Sequence, residues 1–159
     1  MTPTDAQRAH SLGGDESLQL PEFDSPPADP LALVREWFAG AEEYGVREPR
    51  AATLSTADPD GRVSARTVLI IGVDEAGLLF STDSQSLKGR DLAANPAASV
   101  TFYWRETLQQ LRVTGVAPRL GAGESDRLFA ARTLEARAAT AVSHQGEPLA
   151  SEAELDAMV

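Results

Sequence analysis

The chain has 159 residues, 42% of them hydrophobic, enough for one domain with an apolar core. Aspartate and glutamate outnumber lysine and arginine 24 to 14, a net charge of −10, which argues against a nucleic-acid partner, since such a surface needs a basic stripe. There is no cysteine, so disulfides and thiolate zinc sites are excluded. No run approaches the ~20 apolar residues of a spanning helix, and the N-terminus has no apolar signal core. The expectation is a cytoplasmic protein with no membrane partner.

Residues 1–28 read as a disordered or arm-like tail. The segment is polar, with Gly13-Gly14 and Pro26-Pro27, and has little apolar content to offset ordering entropy. A helix is then expected, with Asp29 as N-cap, Pro30 in the first turn and Gly45 as the stop. Leu31, Val34, Trp37, Phe38 and Ala41 repeat at helical spacing, and this stripe is read as core. Strands follow at 51–57 and 63–73, separated by the turn Asp58-Pro59-Asp60-Gly61. The run Val68-Leu69-Ile70-Ile71 is apolar at every position, as in a strand buried on both faces. Asp74-Glu75-Ala76-Gly77 turns the chain into a third strand, 78–82. Ser84 or Ser86 is expected to cap a short helix that runs to Ala94, and Pro96 prevents its continuation. Two more strands are expected at 98–104 and 109–119. A single helix is predicted over 124–141 and another from Glu152, within which the chain ends. Consecutive strands joined by tight turns favour an antiparallel sheet, and one short helix among them suggests a barrel with a helical insert.

The residues able to bind an anion are few. Arg66 opens the second strand. Lys88 sits at the start of the short helix, where free backbone N–H groups also favour negative charge. Each alone reads as a solvated surface charge. The pair in this order, with Ser81, Thr82 and Ser86 between them, reads as a phosphate-binding set. Gln109 and Gln110 open the last strand, and an amide both donates and accepts, which suits the polar edge of a heteroaromatic ring. An ordinary strand pair is an equal reading. Trp104 reads as core rather than as a stacking platform. Arg132 reads as a helix-surface ion pair with Asp126 or Glu135, or as a bidentate carboxylate contact. His10 and His144 supply too few ligands for a metal, and no G-x-S-x-G motif supports a serine nucleophile. No metal site is expected.

Four segments carry a resemblance: RTVLII (66–71), FSTDSQSLKGRDL (80–92), the Asn95-Pro96 pair and YWRETLQQLRVTG (103–115). In order and spacing they resemble the FMN-binding core of the pyridoxamine 5′-phosphate oxidase family, over residues 20–147. The segments FDSPPADPLALVREWF, GVREPRA and YWRETLQQ resemble its phenazine-biosynthesis branch in particular. The resemblance implies a mainly β fold with flanking helices, an antiparallel, Greek-key-like split β-barrel over 29–147. It also implies a homodimer with FMN at the subunit interface, and a continuation of the family's fold beyond the start of a C-terminal helix in 148–159. Carried over by position, the FMN contacts are Arg66, Thr67, Val68, Leu69, Ser81, Thr82, Ser86, Lys88, Gln110 and Gln145. Ile71 and Arg132 fall at substrate positions.

The resemblance implies an FMN-dependent oxidase with dioxygen as acceptor and, because the flavin does the chemistry, no obligatory catalytic side chain. Ile71 stands where vitamin B6 oxidases have a lysine. Leu87 stands for a phosphate-binding arginine, and Leu128 and Ala136 for a tyrosine and a serine. A pocket so changed suits a small aromatic or tricyclic carboxylate better than pyridoxamine phosphate. The alternatives are an ordinary pyridoxamine/pyridoxine 5′-phosphate oxidase and a non-catalytic flavin-binding or degenerate scaffold.

Overall fold

The structure, a computed structural model, describes residues 12–142, 145–148 and 151. The helix expected from Glu152 lies outside the described residues. The chain divides into two compact units. The first comprises residues 1–55, 65–81 and 99–114, and the second 56–64, 82–98 and 115–159.

The first unit is a helix packed on a sheet. Helix α1 spans Pro30–Tyr44, and its start and stop are those the sequence announces. Asp29 accepts the Leu31 N–H, Pro30 occupies the first turn, and Gly45 closes the helix at φ 84°. Strands β1 (Ala51–Ala57), β2 (Val63–Val73), β3 (Leu78–Phe80), β4 (Ala97–Trp104) and β5 (Gln109–Val116) form a five-stranded sheet in the order β3-β2-β1-β4-β5. Strand β4 thus returns to lie beside β1, the Greek-key arrangement. Val34, Phe38 and Ala41 of the helix are buried, as are Leu54, Val68, Ile70, Val100, Phe102 and Trp104 of the sheet. Phe38 meets Phe102 edge-on at 5.1 Å and Trp104 at 5.7 Å, geometries that aromatic quadrupoles favour. Trp104 also donates its indole N–H to the Pro49 carbonyl at 2.8 Å, so it is a core residue with its polar atom satisfied.

The N-terminal segment, expected as a tail, is laid against this unit from Leu12 onward. Asp15 donates its N–H to the Glu106 carbonyl at 2.8 Å, and Trp37 donates to the Glu22 carboxylate. Gly14 is required here, because a Cβ would collide with the backbone oxygens of Arg105 and Glu106. A short 3-10 turn at Pro21–Phe23 places Phe23 against Trp37 at 5.9 Å.

Three expectations are corrected. Strand β3 ends at Phe80, so Ser81 and Thr82 lie in the loop after it. The last strand ends at Val116, three residues early. Pro118 has no N–H to continue a ladder, and the Ala117 N–H bonds to Pro96 instead. The single helix expected over 124–141 is two: α3 (Ala122–Ala130) and α4 (Leu134–Val142). Arg132 turns back to Phe129 through a tight backbone bond, and the Thr133 hydroxyl accepts the Ala136 N–H and starts a new helix. That competition of a threonine side chain for backbone donors leaves no glycine or proline signal.

Helix α2 (Leu87–Ala94) belongs to the second unit and opens on Ser86. The Thr56 hydroxyl, 2.7 Å, and the Ser64 hydroxyl, 3.1 Å, both donate to the Asp91 carboxylate on this helix. Thr56 and Asp91 are buried, so this cluster fixes α2 by hydrogen bonds rather than by apolar packing.

Candidate functional site

Lys88 is the best-defined element of the site. It occupies the second position of α2, and only 8% of it is exposed. Its ammonium donates to the Gln145 amide oxygen at 2.7 Å and lies 3.4 Å from the Ser86 hydroxyl. Ser86, 2% exposed, accepts the Gly89 N–H at 3.3 Å and donates to the Asp83 carbonyl at 2.6 Å. Thr82 brings its hydroxyl to 3.4 Å from that of Ser86. Thus Thr82, Ser86, Lys88 and Gln145, four of the sequence-predicted contacts, are gathered in the second unit. Lys88 and Gln145 are 57 positions apart in sequence.

Gly89 holds the geometry of this group. A Cβ there would stand 2.5 Å from the Asp83 carbonyl oxygen and 2.6 Å from that of Ser84. Only glycine lets the 83–86 turn pack so closely on the helix start. Sequence reasoning passed over Gly89 and also Thr56, Ser64 and Asp91. The K-G pair after a cap was a readable signal for the first. The polar cluster joins residues 27 and 35 positions apart and left no signal.

The remaining predicted contacts lie on the first unit. Arg66, half-buried on β2, donates to the Leu54 carbonyl on β1 at 3.3 Å. Thr67 is exposed and Val68 is buried. The reading of Val68–Ile71 as buried on both faces is corrected: Val68 and Ile70 are in the core, while Leu69 is 54% and Ile71 41% exposed. Alternation is the ordinary consequence of a sheet with one face covered by its own helix. Ile71 also sits at a break in register, where Ile70 pairs with Phe80 and Gly72 with Leu79. A bulge at this point re-aims the side chain. Ser81 and Gln110 are exposed, and Gln109 is buried.

Arg132 stands in the α3–α4 junction, not on a helix. It donates to the Thr140 hydroxyl at 2.6 Å rather than to Asp126 or Glu135. Glu135 is turned to its own helix start, where its backbone N–H and the Thr133 hydroxyl hold its carboxyl below the ordinary value. Glu124 is likewise lowered by its hydrogen bond from Arg127.

Two open surface cavities of about 360 and 200 Å³ flank Trp37, beside Glu22 and Glu36. The smaller one is also lined by Gln109, one of the two glutamines read as suited to a ring edge, and neither is lined by Arg66, Lys88 or Arg132. Among the described residues no cluster of His, Asp and Glu could hold a metal, and no helix is long and apolar enough to cross a membrane.

The arrangement offers a buried ammonium beside a capping hydroxyl at the N-terminus of an eight-residue helix, a setting suited to a phosphate. The residues present therefore fit the phosphate-bearing end of FMN.

Comparison with known proteins identifies the family. The family model for pyridoxamine 5′-phosphate oxidase matches residues 40–158. A dihydrophenazinedicarboxylate synthase from Burkholderia lata is 41% identical over 142 residues, which are 89% of this chain and 67% of that protein. A pyridoxine/pyridoxamine 5′-phosphate oxidase from Paraburkholderia xenovorans is 43% identical over 150 residues, 94% of this chain and 68% of that protein. The crystal structure of PhzG from Burkholderia lata in complex with tetrahydrophenazine-1-carboxylic acid superposes with a TM-score of 0.86 at 39% identity, covering 89% of this chain and 70% of that one. The chain spans about two thirds of the length of the curated relatives it matches. The antiparallel split-barrel fold expected from the sequence is the fold found. The chain belongs to the pyridoxamine 5′-phosphate oxidase family.

Proposed function

We propose that this chain is the flavin-binding part of an FMN-dependent oxidase that dehydrogenates a reduced phenazine-carboxylate precursor in phenazine biosynthesis. The observation that carries the reading is the burial of Lys88 beside Ser86 and Gln145 at the start of α2. A buried ammonium whose neighbours are hydroxyl and amide oxygens is a ready site for an anion. When bound, FMN supplies the redox chemistry, accepting a hydride from the reduced substrate and returning the electrons to dioxygen. The chain's own residues bind and orient. Lys88, Ser86 and Thr82 hold the phosphate, and Gln145 directs the ammonium. Arg66, Thr67, Val68, Leu69, Ser81 and Gln110 are assigned to the same cofactor by family position. The substrate reading draws support from the phenazine names of relatives from Burkholderia lata and Pseudomonas chlororaphis and from Ile71, Leu128 and Ala136 in place of polar groups.

The protein is also read as a cytoplasmic homodimer. Leu69 and Ile71 present an apolar row on β2 that a second copy would cover. Sedimentation at micromolar concentration should give a dimer, and a monomer would refute this part.

An absorbance spectrum of the freshly purified protein tests the cofactor: flavin bands are expected, and their absence after adding FMN leaves the empty scaffold. The substrate is tested by offering reduced tricyclic acids and pyridoxamine 5′-phosphate as reductants of the bound flavin, with dioxygen uptake as the second readout. The tricyclic acids should be oxidised. Efficient turnover of pyridoxamine phosphate alone would establish the other reading, which the similarity to a vitamin B6 oxidase also supports.

A further inference from the structure

Gln109 is a buried polar residue that the cofactor assignment leaves unused. Successive residues of a strand point to opposite faces, and β5 opens with Gln109 only 8% exposed and Gln110 in solvent. The Gln109 side-chain amide makes no hydrogen bond among the described residues. Among those residues the one side-chain N or O sealed from solvent without a partner is Arg137 Nε, so the Gln109 amide is reached from outside. It lines the cavity of about 200 Å³ beside Trp37, as does the buried Thr107. A buried amide carries donors and an acceptor to be satisfied, and one open to a cavity is placed to meet a ligand.

The cavity lies within the first unit, where the N-terminal segment meets α1 and the β4–β5 turn. Leu18, Leu20 and the Trp37 ring give it apolar walls. A cavity of roughly 150 Å³ already takes one benzene ring. Glu22 and Glu36 also line it, and no Lys, Arg or His does. In a chain of net charge −10 such a site repels phosphates and carboxylates and attracts a cation, which an indole face also favours. Gly40, on the same wall, stands inside α1, where glycine weakens a helix relative to alanine. Its φ is not positive and a Cβ there would meet open space, so neither backbone conformation nor a close neighbour requires it. Its effect is to leave the cavity unfilled.

We propose that this cavity binds a small aromatic monoamine. The ring lies against Trp37, a hydroxyl on the ring hydrogen-bonds to Gln109 and Thr107, and the ammonium faces Glu22 and Glu36. The site shares no residue with the assigned FMN and substrate contacts, and it does not rest on the phenazine reading.

The test is calorimetric titration of the purified full chain at low salt with three probes: tyramine, 2-phenylethylamine, which lacks the ring hydroxyl, and 4-hydroxyphenylacetate, which exchanges the ammonium for a carboxylate. Tyramine should bind most tightly. The loss of one neutral hydrogen bond should weaken 2-phenylethylamine by roughly two- to tenfold, and Gln109→Leu should bring the two amines within about twofold of each other. Glu36→Gln should weaken both amines by about two- to fivefold and leave the acid no weaker. Gly40→Leu should fill the cavity and abolish amine binding, with a denaturation midpoint at or above that of wild type. No binding of tyramine by the wild type at millimolar concentration overturns the proposal. So does tyramine binding that Gly40→Leu leaves unchanged, or a preference for tyramine that survives in Gln109→Leu. If Gln109→Leu does not fold, Gly40→Leu and Glu36→Gln decide, and wild-type affinity for tyramine in either overturns it.

Discussion

The two units bury different chemistry. The buried hydrophobic residues of the described chain, from Val34 to Trp104, all belong to the first unit. Among the described residues of the second unit, those buried are Thr56, Ser86, Lys88 and Asp91, all polar or charged. An apolar core gains stability from area removed from water. A buried polar cluster gains little net energy, and it is costly wherever a partner is missing. The contrast separates roles. The first unit holds the apolar core, and the second a hydrogen-bonded cluster of polar and charged groups that includes the ammonium proposed to bind the cofactor phosphate.

The largest expected effect breaks the first unit. Phe38, 2% exposed, joins Phe102 and Trp104 in one aromatic cluster. Phe38→Ala should cost about 3–5 kcal/mol in chemical denaturation. A loss well under that would show that the helix-on-sheet core is not what holds the fold.

A smaller effect is expected in the second unit. Asp91→Ala leaves the Thr56 and Ser64 hydroxyls without their shared acceptor and should cost about 1–3 kcal/mol. Because the same residue anchors the middle of α2, the helix that carries Lys88, FMN affinity should fall with it. Lost stability with unchanged FMN affinity would separate the polar cluster from the binding site.

The smallest effect concerns the N-terminal segment. Ser17 hydrogen bonds hold the Asp15 carboxyl below its ordinary value of 3.8, and Tyr44, itself raised by burial and by Asp15, also donates to it. A lowered folded-state pKa means the contribution is present above the unfolded value and is lost as pH falls through the folded one. The segment should therefore become more sensitive to an acid-active protease as pH drops below the carboxylate range, and Asp15→Asn should remove that dependence. Equal pH sensitivity in the variant would place the effect elsewhere.

What the sequence disclosed is the local punctuation of both units: Asp29-Pro30 and Gly45 around α1, and the 58–61 and 74–77 turns around β2. Ser86 and Asn95-Pro96 framed α2 in the same way. The predicted contacts Thr82, Ser86, Lys88 and Gln145 do converge, because the family pattern encodes a constellation no local rule could assemble. Three features were hidden. The α3–α4 break turns on one threonine hydroxyl, the alternation at Val68–Ile71 on which face the helix covers, and the docking of Asp15 and Glu22 on partners 91 and 15 positions away. Each depends on tertiary contacts that neither composition nor periodicity records.

The most direct test of the account is the FMN affinity of Lys88→Ala beside that of the wild type, measured by titration of flavin fluorescence and paired with the denaturation midpoint of each. Losing a charge-assisted contact is worth about 1.5–3 kcal/mol, so FMN should bind at least roughly tenfold more weakly. The denaturation midpoint without FMN should change little, since the buried ammonium adds no apolar area to the core. Unchanged FMN affinity, or a collapse of stability with no specific loss of flavin, would contradict the assignment of the second unit as the cofactor site.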